Sequence, residues 1–490
     1  MGTEAQDCAG CRQRDAIIAE LKAKIVLLER LVAEQDRRLA EQDRRLAEQD
    51  RRLAELEARL KTNSSNSSLP PSANPPSAPK PVSKLPTGRK PGGQPGHPGH
   101  SRPRLEAHEI VRYVPLHCEH CHEVLQVDAG PDDPQPKWHQ VAELPEALAV
   151  VTEHQAHGRR CPSCGHLSWG HIPSSVTAHA FGPKLTAAIA FLSGRCHGSK
   201  RIIEDILAAL LGVPISLGSV SNAEAEMAAA LEQPYVQAQA AVESAPVKNA
   251  DETGWSRAGK LCWMWMAVTS TVALFKICVG RGRAALAELL GESIRGTVGS
   301  DRWTAYGIID LLARQACWSH LKRDFQKWVD WGSQTAAIGQ AGLEAVRRLF
   351  AAWRDFRAGA LDRPGLRAAL EPVTQDLHVA LEAGLSSPNK KAARFCRNVL
   401  DIYPSLWTFA RVEGVEPTNN LAERTLRPAV IWRKISFGNH SQSGCRFVER
   451  ILTTVQTLRL QGRPVLAYLR DALAAHRANS PAPTLVAVGA

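Results

Sequence analysis

Apolar residues recur at every seventh position near the beginning of the chain, and the unit LAEQDRR repeats within this stretch. The heptad series consists of Ile18, Ile25, Val32, Leu39, Leu46, Leu53 and Leu60. A second seam, three residues later, is partly apolar but is interrupted by glutamines. Such a pattern predicts a coiled coil, here over residues 16–60, that associates copies of the chain. A single solvated, charged helix is the alternative.

The pattern changes at residues 61–104, where proline, serine and glycine dominate and apolar residues are scarce. A segment of this composition does not bury enough apolar surface to fold, so we expect a disordered, flexible linker. Within it, GRKPGGQPG places Arg89 and Lys90 beside proline and glycine, as in arms that enter the minor groove of DNA. A plain basic linker is the alternative for these two residues.

Short β-like runs and two CxxC pairs occupy residues 105–180. Thiolates at this spacing reach one tetrahedral ion together, so the pairs predict a structural Zn²⁺ site in a zinc-ribbon-like β module. The predicted ligands are Cys118, Cys121, Cys161 and Cys164. The gap of 39 residues between the pairs is longer than in compact ribbons, and four unlinked thiols are the alternative. Nearby histidines are rival ligands: His117, His120, His122 and His166. The sequence assigns no role to a further CxxC pair, Cys8 and Cys11.

The periodicity becomes helical over residues 181–240. In DILAALLGVPISLGSVSNAEA an apolar helix ends at Gly212, a short turn follows, and Ser216 is placed to cap the next helix. This arrangement predicts a helix-turn-helix-like region in which Ser219 and Asn222 face a DNA groove. Two core helices packed on each other are the alternative.

Strand-like runs alternate with short helices over residues 245–325, including VKNADET, LCWMWMAVTS and VALFKICVG. Residues 326–415 have only helical periods. Residues 416–475 hold the segment NNLAERTLRPAVIWRK and a final helix, and a tail follows at 476–490. Together with the N-terminal segments, this order predicts a multidomain α+β protein.

Charge and cysteine content narrow the class of partner and compartment. The net charge is +11 and the pI about 9.2, which favours polyanionic partners, nucleic acid first. No apolar stretch reaches the ~18 residues that a transmembrane helix needs, and the N-terminus lacks the apolar core of a secretion signal. Twelve cysteines without such a signal favour metal ligands and buried thiols in the reducing cytoplasm.

Three acidic residues stand where ligand-binding side chains emerge from regular elements. Asp251 ends a strand-like run in NADETGW, Asp301 ends another in VGSDRW, and Glu423 lies in the helix that begins near TNNLAER. Carboxylates converging from two strands and a helix would hold two Mg²⁺ or Mn²⁺ ions, an arrangement suited to phosphodiester chemistry. Spacing alone does not select this trio, because other carboxylates are equally available: Glu252, Asp310 and Asp324.

The segments ADETGW, SDRWTAY, CWSHLKRDF, PTNNLAERTLRP and RKISFGN occur in this order along the chain. They resemble the successive motifs of the insertion sequence 66 family of transposases, and the resemblance extends to the coiled coil, the linker and the CxxC pairs. It implies a ribonuclease-H-like catalytic core in which Asp251, Asp301 and Glu423 bind the metal ions. The 121 residues between Asp301 and Glu423 then imply that residues 326–415 are an all-helical insertion in that core.

Further residues gain a role from the resemblance. Cys317 and His320 resemble a cysteine–histidine pair of transposases with such insertions, which implies a DNA or active-site contact for His320; a structural hydrogen bond is the alternative. Arg424 and Arg427 lie on the glutamate-bearing helix, where arginine clamps phosphate, unless they are solvated or paired with carboxylates. Eight of the 12 tryptophans fall within residues 255–353; most belong to the core, and one is available to stack on an unpaired base.

The function that the resemblance implies is that of a DNA transposase. Such a protein binds the terminal inverted repeats of its element and carries out metal-dependent strand cleavage and strand transfer into target DNA. The coiled coil would bring two element ends together, and accessory proteins encoded by the same element are implied as partners. We expect a cytoplasmic, nucleoid-associated protein. The alternatives are an endonuclease without strand transfer and a non-catalytic, zinc-containing DNA-binding or regulatory protein.

Overall fold

A computed structural model of the chain describes residues 9–60, 62–64, 66–67, 104–126, 128, 134, 139–142, 144, 149–164 and 166–486. The chain divides into two compact units. The core unit comprises Met1–Pro79, Gln239–Gly254 and Cys262–Pro428, and the second unit comprises Lys80–Ala238, Trp255–Leu261 and Ala429–Ala490. Within the described residues, each helix is too short or too polar to span a bilayer. Cys8, Arg89 and Lys90 lie outside the described residues.

The helices and strands of the described residues alternate along the chain as follows. The helices are α1 Ala9–Leu60, α2 Ser174–Thr177, α3 Pro183–Gly194, α4 Lys200–Leu211, α5 Leu217–Ala230, α6 Glu232–Ser244, α7 Arg283–Leu290, α8 Trp318–Asp330, α9 Ser333–Arg357, α10 Arg363–Gly384, α11 Lys390–Leu400, α12 Thr408–Arg411, α13 Asn420–Ser436, α14 Gln442–Leu460 and α15 Val465–Arg477. The strands are β1 Gly158–Arg160, β2 Leu167–Trp169, β3 Val247–Arg257, β4 Lys260–Val268, β5 Ala273–Cys278, β6 Thr297–Ser300 and β7 Arg314–Ala316. Two 3-10 helices span Thr304–Ile308 and Tyr403–Leu406.

Five strands form a mixed sheet with the order β5-β4-β3-β6-β7. β4 and β5 are antiparallel and joined by a short turn, whereas β6 is parallel to both β3 and β7. The parallel return to β6 needs a crossover, which α7 provides. β6 pairs with the first three residues of β3, Val247–Asn249, and ends at Ser300, whereas β3 continues to Arg257. The chain is a mixed helix-and-sheet protein, consistent with the predicted multidomain α+β class.

Helices α8 to α11 pack around one apolar cluster that includes Phe325 and Trp328. The contact between α8 and α9 is close because α9 has glycine where it crosses α8. A Cβ on Gly342 would lie 2.1 Å from a ring carbon of Phe325, and one on Gly339 would lie 2.6 Å from the Val329 backbone nitrogen. Both glycines are therefore required for this packing, since real side chains do not approach so closely.

Helix α1 is a 52-residue helix whose heptad residues are exposed in the single chain. Leu39 and Leu46, for example, are 55% and 56% exposed. Ion pairs four residues apart, such as Glu34–Arg38 and Glu41–Arg45, lie along its surface and contribute little to stability by themselves. The exposed apolar series fits a helix that has a partner, and the coiled coil stays a prediction.

Helices α3, α4 and α5 of the second unit share a small apolar cluster. The predicted caps are confirmed: Gly212 ends α4 with a positive φ of 66°, and Ser216 accepts a hydrogen bond from the Ser219 backbone before α5. Leu207 and Val220 are fully buried in the cluster, so α4 and α5 do pack on each other. This packing is compatible with both sequence interpretations, and a DNA contact by α5 stays a prediction.

A short turn that follows α1 is packed against the core unit. Asn63 and Asn66 are buried, at 7% and 1% exposure, and the Asn66 backbone donates to the Asn63 carbonyl. The Asn66 side chain donates to Asp330 at the end of α8, over 2.7 Å. At these residues the prediction of a flexible linker is wrong, because asparagine amides find hydrogen-bond partners on the core that a count of apolar residues does not consider.

Candidate active site

Two of the predicted carboxylates lie on or directly after neighbouring parallel strands. The register pairs Asn249 of β3 with Gly299 of β6; Asp251 lies two residues after Asn249 within β3, and Asp301 directly follows the end of β6, two residues after Gly299. The two charges interact, since Asp301 contributes to raising the pKa of Asp251. Among the described residues, however, Asp251, Asp301 and Glu423 do not form a group whose ligand atoms all lie within 4.8 Å of one another. Each carboxylate is fixed by a backbone hydrogen bond: Asp251 accepts from the Glu252 N–H and Asp301 from the Trp303 N–H.

A buried asparagine connects the third carboxylate to this strand edge. Asn419 precedes α13, and its side chain both accepts a hydrogen bond from the Asn249 amide and donates to the Ala250 carbonyl, each over 2.8 Å. Its backbone carbonyl accepts from the Glu423 N–H in the first turn of α13. Asn419 thereby attaches the beginning of the helix to β3, beside Asp251.

The close approach of these amides depends on a glycine in the neighbouring strand. A Cβ on Gly299 would lie 2.3 Å from the Asn249 amide nitrogen and 3.7 Å from the Asn419 carbonyl oxygen. No side chain larger than hydrogen fits there without displacing Asn249. The sequence pattern does not distinguish Asn249, Asn419 or Gly299 from other polar and glycine residues; the doubled asparagine in TNNLAER is the one available signal.

The electrostatics of the cluster follow from its burial and its negative charge. Burial and the charges of Glu252, Asp301 and Glu423 raise the pKa of Asp251 well above its ordinary value. The negative charges around Asp251 thus disfavour its ionised form, and a bound cation would relieve this effect.

The three rival carboxylates are engaged in other contacts. Glu252 points to the opposite face of β3 from Asp251, where it forms an ion pair with Arg281 at 2.8 Å and accepts a hydrogen bond from Tyr306 at 2.7 Å. The others are Asp324, which is ion-paired to Arg302, and Asp310, which accepts from a backbone N–H in an exposed turn.

Cys317, His320 and Glu423 form a compact group whose ligand atoms lie within 4.8 Å of one another. His320 Nδ1 is 3.7 Å from Glu423 Oε1, and the buried Cys317 sulfur accepts a hydrogen bond from the Asn419 backbone. Burial and the nearby Arg323 lower the pKa of His320 to about 4, so the imidazole is neutral at physiological pH. The structure therefore places the predicted cysteine–histidine pair beside the glutamate.

An open cavity of about 300 Å³ extends from the candidate site. Asp301, His320 and Trp303 line it, and so does Ser67 from the turn that follows α1. The Arg281 guanidinium lies 3.9 Å from the centre of the Trp303 ring, which gives this wall a positive, aromatic surface.

The remaining predicted residues lie apart from this cluster or outside the described part. Arg424 and Arg427 are exposed on α13, next to Glu423 in sequence. Ser219 and Asn222 belong to the second unit; the Ser219 hydroxyl lies 3.1 Å from that of Ser216, and Asn222 is exposed.

Each CxxC pair forms its own turn in the second unit. Backbone N–H groups of Cys121 and His120 lower the pKa of the Cys118 thiol, and those of Cys164 and Ser163 do the same for Cys161, as suits thiolate ligands. In the described part of the chain, the two pairs are not grouped within ligating distance of one another. The zinc site stays a prediction.

Fold and site together define the class of protein: a basic, mixed-sheet protein with one aspartate on β3, another directly after the parallel β6, and a glutamate on α13. The chain belongs to the IS66 family of transposases, since the model described as Transposase IS66 family matches residues 179–446, more than half of the 490 residues. The resemblance drawn from the motifs is confirmed. Membership places the chain among transposases in general.

Two other comparisons give a match outside residues 179–446 and a match to an uncharacterized protein. A family of unknown function, DUF6444, matches residues 11–103. The chain is also similar to the uncharacterized protein y4qI of Sinorhizobium fredii, with 26% identity over 211 residues. That match covers 40% of this chain and 38% of the relative, so the chain matches well under half of the relative's length.

Proposed function

We propose that the chain is a DNA transposase that cleaves strands and transfers them to target DNA at the site of Asp251, Asp301 and Glu423. The observation that carries the proposal is the register of β3 and β6, which places each aspartate two residues after the Asn249–Gly299 pair, together with the Asn419 bridge to the helix of Glu423. The strand order, with three parallel strands beside an antiparallel pair, favours a ribonuclease-H-like core. Family membership favours the same function.

The donor set fits hard divalent cations. Asp251, Asp301 and Glu423 supply the carboxylate oxygens that Mg²⁺ and Mn²⁺ prefer. The raised pKa of Asp251 and the buried Glu423 Oε1, which has no hydrogen-bond partner within the described structure, both favour a cation between these groups. Two such ions would stabilise the attacking and the leaving oxygen of a phosphodiester.

The chain's own residues orient the carboxylates and the DNA. The Glu252 and Trp303 N–H groups fix the aspartate side chains, and the neutral His320 restricts the position of Glu423. Arg424 and Arg427, exposed on the same helix, would bind DNA phosphates near the cut.

We assign recognition of the terminal inverted repeats to the second unit, with Ser219 and Asn222 of α5 as base or phosphate contacts. The two CxxC pairs would hold a structural Zn²⁺ there. Helix α1 would associate protomers so that two element ends are held together. Accessory proteins encoded by the same element would complete the assembly.

The test replaces Asp251 with asparagine in the full chain, with Asp310→Asn as the matched control, because Asp310 accepts its hydrogen bond in an exposed turn. DNA that carries the inverted repeats is offered with Mg²⁺. We expect D251N to bind this DNA but to lose cleavage, and D310N to retain both. Full cleavage by D251N would refute the assignment. A second substrate with a pre-cut 3′ end and a target plasmid separates the enzymes: cleavage without joining identifies an endonuclease.

A further inference from the structure

A second cavity adjoins the candidate active site within the core unit. It lies between Trp328, Trp331, Lys391 and Arg394, has a volume of about 240 Å³, and is called the side pocket below. Arg302 lines both the side pocket and the cavity that contains Asp301 and His320. The two cavities are therefore adjacent, with Arg302 and Asp324 in the lining of both.

Positive charge dominates the side pocket. Four cations line it: Arg302, Lys327, Lys391 and Arg394. The one carboxylate in its lining, Asp324, is already ion-paired to Arg302. Burial lowers the pKa of Lys327, and the cations Lys391 and Arg302 add to this effect against the opposing Asp324. The excess of positive charge favours an anionic ligand.

Aromatic rings form the other wall. The Trp328 ring lies 5.2 Å from that of Trp331 and 5.4 Å from that of Phe395, centroid to centroid. The indole nitrogens of Trp328 and Trp331 are buried and have no hydrogen-bond acceptor in the described part of the structure. An indole N–H only donates, so each of these groups would be satisfied by an acceptor atom of a ligand that reached it. A ligand that matches this pocket combines a flat aromatic ring, hydrogen-bond acceptors and negative charge.

We propose that the side pocket receives one unstacked nucleotide of the DNA end held at the candidate active site. The inference rests on the proposed function and specifies its substrate. The aromatic wall takes up the base, as in sites for single-stranded DNA, and the indole N–H groups donate to acceptors on its edge. Lys391 and Arg394 bind the adjoining phosphates. A cavity of about 240 Å³ admits a single nucleotide and excludes a duplex.

Helix α11 supplies matched controls. Lys391 and Arg394 are three residues apart and line the pocket from one face of the helix. Lys390 and Arg397 are exposed residues of the same helix and charge type that do not line it. The double variants K391A/R394A and K390A/R397A therefore remove the same charge from different faces, and neither replaces a buried side chain.

The experiment uses the full chain and a duplex carrying the inverted-repeat end, with Ca²⁺ in place of Mg²⁺ so that binding is measured without cleavage. A fluorescent base, 2-aminopurine, is placed in turn at each position around the cleavage point. We expect its fluorescence to change several-fold on binding at one position and not at its neighbours. K391A/R394A should lose this response, bind about tenfold more weakly and reduce the salt slope by about 2, while K390A/R397A retains the response.

Two results would overturn the inference: no position responds in the wild type, or the pocket and control variants behave alike. The D251N variant distinguishes this failure from failure of the proposed function, because it should keep the fluorescence response while losing cleavage. If the wild-type protein cleaves DNA with Mg²⁺ but gives no fluorescence response, the proposed function stands and the side-pocket inference is refuted. If the wild-type protein gives the fluorescence response but does not cleave DNA, the side-pocket inference stands and the catalytic proposal is refuted.

Discussion

The substitution Gly299→Ala tests how the third carboxylate is held in place. The added Cβ would lie 2.3 Å from the Asn249 amide nitrogen, so Asn249 must move and its 2.8 Å hydrogen bond to Asn419 must break. Leaving a buried amide unpaired costs about 1–3 kcal/mol of folding free energy. Because Asn419 also holds the first turn of α13, we expect Glu423 to shift, and a shift of ~1 Å in a catalytic group costs about a hundredfold in rate.

Two measurements on G299A separate these effects. Chemical denaturation gives the loss of stability, and single-turnover cleavage of inverted-repeat DNA under conditions where the variant is folded gives the loss of rate. Gly307→Ala is the matched control, because a Cβ there meets nothing within 4 Å. We expect G307A to cleave like the wild type. If folded G299A cleaves at the wild-type rate, or if G307A is impaired equally, the Asn249–Asn419 bridge does not position Glu423.

Three further predictions concern the rest of the chain. The purified protein should contain zinc by elemental analysis. Cys161→Ser should lower the zinc content, whereas substitution of the exposed Cys196 by serine should not. A zinc-free wild-type protein contradicts the predicted site. The double variant L39K/L46K should reduce the fraction of assembled protein in sedimentation velocity. The control R38A/R45A removes two exposed ion pairs and should change this fraction little. Equal assembly by the two variants rules out a coiled-coil seam at these leucines. Burial raises the pKa of the Cys396 thiol to about 11, so this thiol is protonated at pH 8. Cys396 should therefore resist alkylation while the exposed Cys196 reacts, which peptide mass spectrometry measures. Rapid labelling of Cys396 in the folded protein would contradict its burial.

Local patterns in the sequence made the aspartates candidates, but the family resemblance was needed to select them from other carboxylates. Asp251 and Asp301 each follow apolar runs, and polar residues at strand ends are a recurrent signal for ligand sites. The Gly212 and Ser216 caps were likewise readable, because a helix end needs specific backbone and side-chain chemistry within a few residues. Glu423 depended on the family resemblance, since nothing in its spacing separates it from other helix-borne carboxylates.

Features that join distant segments could not be predicted in this way. The Asn249–Asn419 hydrogen bond spans 170 positions in sequence, and the side pocket combines side chains from α8 and α11. The turn with Asn63 and Asn66 was interpreted as linker because its composition is polar, although its amides are buried on the core. Periodicity reports which face of an element is apolar, but it does not report which polar groups meet when elements pack.

The central claim is that three distant carboxylates share hard cations, and the most direct measurement is anomalous diffraction from crystals of the full chain grown with Mn²⁺. We expect manganese peaks in contact with the carboxylates of Asp251, Asp301 and Glu423, and we expect these peaks to be lost in crystals of D301N. Peaks at other acidic side chains, with these three carboxylates directed apart, would contradict it.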